Sequence, residues 1–263
     1  MHDEVASEAD PVEVVVPCCI NCNQPLATAG NFCRHCGHAQ IVSDPGATAA
    51  KWNIIRQIIL FFLIDAVICA LASFVDVFKT LSWSVTVSIS LAAVAVTFFV
   101  LHWSAYKSLL IWHNFSLSRL LGYCALAVLG SIVVSFSADW LNETLFSRHF
   151  SYYGFYAPYK HGKELVIFFV AVMPALFEEL GYRGFLLGNL LAVTEKKQAI
   201  FISAFLFAIM HMSFVSLFWL IPFALWQGYI RVKQNTIWYG VCIHFCFNLT
   251  VCVTEIWSAG YHR

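Results

Sequence analysis

Phe177-Glu178-Glu179-Leu180-Gly181-Tyr182-Arg183-Gly184 places two adjacent acids and an arginine inside an apolar run from Leu165 to Leu191. A charge at the middle of a bilayer costs about 2.5 to 3.5 kcal/mol on insertion scales, so each of the three needs a partner or a use. Glu179 and Arg183 are four residues apart, share a helix face and can pair. Glu178 is turned about 100° from that face. It has no local partner and is expected to face the bundle interior, where a carboxylate serves as a general base. Two later apolar segments supply further groups. Phe207-Ala208-Ile209-Met210-His211 ends in an imidazole. His244-Phe245-Cys246-Phe247-Asn248 projects an imidazole and an amide from one helix face. Such groups activate a water and donate hydrogen bonds to a developing oxyanion. Each also has a purely structural reading: Glu179–Arg183 as an ion pair, His211 as a helix-end residue, His244 and Asn248 as interhelical hydrogen-bond glue.

A second cluster has different chemistry. Cys19-Ile20-Asn21-Cys22 and Cys33-Arg34-His35-Cys36 are two Cys-x-x-Cys knuckles joined by a short loop. That is the ligand spacing of a tetrahedral zinc site, Cys19, Cys22, Cys33 and Cys36, which would hold together a segment too short for its own core. Disulfides or a redox pair are the other uses of such cysteines, and Cys18 could replace Cys19 as first ligand. A closed four-thiolate site is structural, and free thiolates point to a reducing compartment, hence a cytoplasmic N-terminus. Cys69, Cys124, Cys242, Cys246 and Cys252 lie in apolar segments and read as small apolar residues.

The elements that must position these groups are membrane helices. The chain has 263 residues, 60% hydrophobic and 11% charged, where a soluble domain carries about 25% charged residues. The fold class is therefore an all-α polytopic bundle in a lipid bilayer, preceded by a small zinc ribbon. Net charge is zero, which gives no argument for a nucleic-acid partner. The acidic start Met1-His2-Asp3-Glu4 has no apolar core behind it, so no cleaved signal peptide is expected. About seven spans are expected, at 54–77, 81–102, 119–141, 164–191, 198–212, 214–231 and 236–257, the fifth being short. The organisation is a disordered tail (1–17), the ribbon (18–39), a linker (40–53), N-terminal transmembrane helices (54–117), a catalytic core (118–257) and a tail (258–263). Tyr152, Tyr153, Phe155, Tyr156 and Tyr159 suit the membrane interface. With the ribbon inside, nine Lys and Arg fall on the cytoplasmic side and five on the other, in line with the positive-inside rule. Asp65, Asp76 and Asp139 have no matching partner and read as helix-end or interior polar groups.

Glu-Glu-x-x-x-Arg, Phe-x-x-x-His and His-x-x-x-Asn, in that order on successive spans, resemble the CPBP family over roughly residues 118–257. That family includes the type II CAAX prenyl endopeptidases and bacterial Abi proteins linked to bacteriocin processing and self-immunity. The resemblance implies an intramembrane endopeptidase. Glu178 and His211 would activate the attacking water, and His244 and Asn248 would stabilise the oxyanion. Glu179 and Arg183 would support the site, and Phe207 would line the substrate cavity. Glu178, His211 and His244 are also possible zinc ligands, but the absence of a His-Glu-x-x-His helix favours a metal-free reaction. The substrate would be a peptide or membrane protein, and the ribbon suits a prokaryotic inner-membrane protein. A non-hydrolytic immunity or scaffold protein using the same cavity is the alternative. A proton-coupled transporter is a third reading.

Overall fold

A computed structural model describes residues 18–19, 21–26, 33–38, 45–146 and 151–261. The tail expected at 1–17, part of the linker, and residues 262–263 lie outside the described residues. The chain divides into two compact units, Met1–Ala50 and Lys51–Arg263. In the first, the two cysteine knuckles are tight turns. Among the described residues, seven longer helices follow: α1 Pro45–Phe74, whose part from Lys51 on belongs to the second unit, α2 Leu81–Leu101, α3 Leu117–Phe146, α4 Gly162–Val193, α5 Lys196–Ile209, α6 Leu217–Gln234 and α7 Trp238–Tyr261. Helix α1 begins at Pro45, so the second half of the expected linker is helical.

Among the described residues, five helices, α1 to α4 and α7, are long and apolar enough to cross a membrane. The sequence suggested seven spans. Helix α5 has 14 residues, about 21 Å at 1.5 Å per residue, against a hydrocarbon core of about 30 Å. Helix α6 has 18 residues and carries Arg231 and Lys233 in its last turn. The two pack on each other. Dropping both as spans leaves the expected side of every Lys and Arg unchanged, because the pair leaves and returns on one side.

Helix α4 is not uniform. It widens into π-helical turns at Ile167–Val172 and Glu179–Leu186, a form that recurs at functional sites. Pro174 has no N–H to give the Val170 carbonyl four residues back. Asn248 of α7 supplies it, its Nδ2 donating to Val170 O at 2.8 Å. In the second widened segment, Ser203 of α5 donates to Tyr182 O at 3.4 Å and Arg231 Nε of α6 to Arg183 O at 2.9 Å. Neighbouring helices thus satisfy carbonyls that water cannot reach in a membrane.

Helices α1 and α2 also pack against α4. A Cβ at Gly184 would lie 2.9 Å from the Phe99 ring, and one at Gly181 would lie 3.0 Å from Phe61. Glycine at these two positions lets the helices approach. Phe61, Phe98, Tyr182 and Phe185 form a ring cluster with centroids 5.1 to 5.5 Å apart. The phenylalanine pairs Phe61-Phe62 and Phe98-Phe99 therefore serve packing in the main at Phe61, Phe98 and Phe99, all buried.

Candidate active site and metal centre

Glu179 is fully buried, and its Oε1 is shared by two partners. Arg183 Nη1 lies 3.3 Å away, and His244 Nδ1 lies 3.1 Å away on α7. The Arg183 guanidinium also stands 4.2 Å above the Phe207 ring, a favourable place for a cation. The buried cation thus has a carboxylate on one side and an aromatic face on the other. On the far side of His244, Nε2 is 3.9 Å from Glu178 Oε2. That is too long for a hydrogen bond, but it aligns carboxylate, imidazole and carboxylate. With Nδ1 donating to Glu179, Nε2 is the nitrogen presented to Glu178.

Accessibility separates the members. The Glu178 side chain is 30% exposed, although its Oε2 is buried with no hydrogen-bond partner among the described residues. His211, at the C-terminal end of α5, is exposed and bonds its own helix through Nδ1 and Phe207 O at 3.1 Å. Glu178, His244 and Arg183 all lie within electrostatic range of His211. Glu179, Arg183 and His244 are sealed beneath. The structure therefore gathers Glu178, Glu179, Arg183, His211 and His244 from α4, α5 and α7, with Glu178 and His211 on the accessible side.

Two expected members stand differently from the sequence reading. Phe207 does not line an open cavity: it is 1% exposed and packs its ring against Tyr182, His211 and His244 with centroids 5.3, 5.0 and 6.1 Å apart. Its ring thus touches both imidazoles and the arginine. Asn248 is not a free amide, since one of its N–H groups is committed to Val170 O and the other remains. Sequence reasoning missed Asp65. This buried carboxylate of α1 accepts from the Tyr182 hydroxyl at 3.2 Å. Its partner lies 117 positions away, and no short-range pattern could have shown it.

Gly240 of α7 has a similar role in shape. A Cβ there would meet Glu179 Oε2 at 2.5 Å and Cδ at 3.3 Å. Gly240→Ala is expected to push Glu179 off His244. Misplacement of about 1 Å at a reacting constellation costs on the order of 10²-fold in rate. The loss would appear in kcat of the purified variant. A fully active Gly240→Ala protein would show that the Glu179–His244 contact has no part in the reaction.

In the first unit, the sulfurs of Cys19, Cys22, Cys33 and Cys36 all lie within 4.8 Å of one another and could hold a metal ion. Cys19 Sγ is 3.6 Å from Cys36 Sγ, and Cys22 Sγ is 3.7 Å from Cys33 Sγ. A disulfide would bring each pair to about 2.05 Å. A tetrahedron with metal–sulfur bonds of about 2.3 Å has sulfur–sulfur edges of about 3.8 Å, so the donor set has the size for zinc. The knuckles repeat one pattern: Asn23 N donates to Cys19 O, and Gly37 N to Cys33 O, each at 2.9 Å. Both turns need a left-handed residue, supplied by Asn23 at φ 57° and Gly37 at φ 73°. Burial pushes the Cys19 thiol up, but the N–H groups of Cys22 and Asn21, both 3.4 Å from the sulfur, help pull it down to about 6. That favours the thiolate a metal requires. Elemental analysis of the purified protein is expected to give about one zinc per chain, lost in Cys33→Ser. A metal-free wild-type protein would contradict this.

Residues 161–250 match the family model described as type II CAAX prenyl endopeptidase Rce1-like. The matched segment runs from the start of α4 into α7 and contains Glu178, Glu179, Arg183, Phe207, His211, His244 and Asn248. It is shorter than the resemblance read from the motifs and leaves out α1 to α3 and the cysteine knuckles. No curated protein and no solved structure matches the chain.

Proposed function

We propose, from the premise that this chain belongs to the CAAX protease family through residues 161–250, that it hydrolyses a peptide bond of a membrane-associated substrate with a water activated at Glu178. The family match supports an intramembrane CAAX-type endopeptidase in general. The observation that carries the finer reading is the Glu179–His244–Glu178 series, with Glu178 and His211 on its accessible side.

In this reading Glu178 takes a proton from water as the water oxygen bonds to the scissile carbonyl carbon. His211 orients that water. The electron pair of the carbonyl moves to oxygen, where the Nε2–H of His244, in the imidazolium form that also donates Nδ1–H to Glu179, and the remaining N–H of Asn248 stabilise the charge. When the C–N bond breaks, the proton on Glu178 passes to the leaving amine. Glu179 fixes the His244 ring, and Arg183 balances the Glu179 charge. The four cysteines hold a structural zinc, and residues 118–257 form the catalytic core. The ribbon lies on the cytoplasmic side of a prokaryotic inner membrane.

The test is direct. The full chain is purified, reconstituted in liposomes and offered quenched-fluorescent peptides, some prenylated with CAAX ends and some unmodified. Cleavage is expected, and a strong zinc chelator should remove the ribbon metal without stopping hydrolysis. A protein that cleaves no member of the panel would end the protease reading.

A further inference from the structure

Arg231 is a buried cation with no counter-charge among the described residues. It lies in the last turn of α6 and is 6% exposed. Its Nε donates to Arg183 O at 2.9 Å. Among the described residues no carboxylate comes within 4.0 Å of it, and neither Nη has a hydrogen-bond partner. A guanidinium has five N–H donors, so four are left over. Buried charges in proteins are paired, and an ionisable group at the edge of a bilayer core is kept for a use. The other buried arginine shows the difference. Arg183 has Glu179 on one side and the Phe207 ring on the other. Both Arg183 Nη atoms are fully sealed, and those of Arg231 are not.

The surroundings of Arg231 share its sign. Ile237 N donates to Leu109 O at 3.1 Å, and a Cβ at Gly188 would lie 2.6 Å from the Tyr106 ring. A Cβ at Gly228 would lie 3.2 Å from Ile200. The α2–α3 connector, the last turns of α4, the start of α5 and the α6–α7 turn therefore meet at one end of the bundle. In residues 102–119, 193–200 and 228–240 six Lys and Arg stand against one acid, Glu195. A second guanidinium is fixed beside the first. Gln234 stands one turn beyond Arg231 on α6 and is itself buried. Its Oε1 accepts from Arg119 Nη1 at 2.8 Å, and its Nε2 donates to the Tyr123 hydroxyl at 3.4 Å. Residues three apart on a helix are neighbours on its surface. The anchored amide thus holds Arg119 of α3 about one helical turn from Arg231. Arg119 is exposed and forms the rim, and Arg231 forms the floor.

We propose that Arg231 and Arg119 form a binding site for a phosphate group at this end of the bundle. Planar guanidinium forks match the spacing of phosphate oxygens. Basic pockets between membrane helices take phospholipid head groups in this way. A phospholipid and a free phosphate offer the same oxygens. The site lies apart from the Glu179–His244–Glu178 series and does not depend on the proposed hydrolysis. The guanidinium that binds the phosphate also holds Arg183 O in the widened turn of α4, so the bound anion braces the helix that carries the acids.

The test follows thermal melting of the purified, delipidated full chain in detergent. Phosphatidylglycerol, diacylglycerol and inorganic phosphate are titrated separately. Phosphatidylglycerol is expected to raise the melting temperature of wild type in a saturable way. Diacylglycerol, which has the chains without the phosphate, is not. An equal rise with inorganic phosphate would assign the site to soluble phosphate, and a rise with phosphatidylglycerol alone would assign it to lipid. The half-saturating concentration is expected to increase about tenfold or more in Arg231→Gln and in Arg119→Gln, as loss of a charged hydrogen bond implies. Should Arg231→Gln fail to fold, Arg119→Gln still decides, because its side chain lies on the surface. Lys233, whose Nζ stands 5.6 Å from the Tyr229 ring, is the control, and Lys233→Gln should bind as wild type does. Four results would each overturn the site: no response to either form of phosphate, an equal response to diacylglycerol, unchanged binding in Arg119→Gln, or an equal loss in Lys233→Gln, the mark of a diffuse basic face.

Discussion

Glu178→Gln is expected to reduce kcat by about 10³-fold or more while the protein inserts and melts as wild type does. The size follows from the role. Removal of a positioned general base costs about 10²- to 10⁴-fold, and here the same group returns the proton to the leaving amine, so one change affects both steps. The amide has almost the same shape as the carboxyl. It also removes a charge whose Oε2 is buried and unpartnered, so the fold loses nothing by the exchange. KM should change little, because Glu178 acts on the water and not on substrate binding. His211→Ala belongs to the same accessible side and should fall less far, since His211 orients the water and does not take its proton. Steady-state cleavage of a reporter peptide by the two variants, alongside their melting curves, checks the order. A Glu178→Gln enzyme within tenfold of wild type would leave the reaction without a base.

How much of this was legible beforehand depends on how local each cause is. The Glu179–Arg183 pair follows from spacing alone, and the cysteine knuckles follow from Cys-x-x-Cys repeats whose turns close on themselves. The ranges of α1, α2, α3 and α7 follow from long apolar runs. Other features have distant causes. The motif was read on an ideal α-helix, yet Glu179–Leu186 is π-helical. There Ser203 and Arg231, from two other helices, donate to the carbonyls of Tyr182 and Arg183. Asn248 looked like a free oxyanion donor because the carbonyl that claims it was made available by Pro174, 74 positions earlier in the chain. Asp65 looked unpartnered because Tyr182 is far away in sequence. Apolar stretches alone count α5 and α6 as spans, but α5 has 14 residues and α6 has Arg231 and Lys233 in its last turn, and neither is among the helices long and apolar enough to cross a membrane. In each case the sequence showed which groups were present, and the contacts between helices decided what those groups were free to do.

Glu179→Ala is expected to be the most destabilising single change in the bundle, at about 3 to 5 kcal/mol, because it leaves Arg183 as a buried charge with no carboxylate. Arg183 is 1% exposed, and after the change only the Phe207 face would remain beside it. For a chain of this size that corresponds to a fall in melting temperature on the order of 10 °C. The partner variant Glu179→Gln/Arg183→Met separates the two roles of the pair. It removes both charges together and fills the space with an apolar chain, so stability should return close to wild type. Activity should not return, since a neutral amide does not hold the His244 imidazole as a carboxylate does, and His244 would no longer present Nε2 to Glu178 in one fixed state. The expected pattern is therefore a restored melting temperature with kcat still reduced by about 10²-fold. If the double variant recovered both, Glu179 would be only the counter-ion of Arg183, and the sealed half of the site would have no share in the reaction.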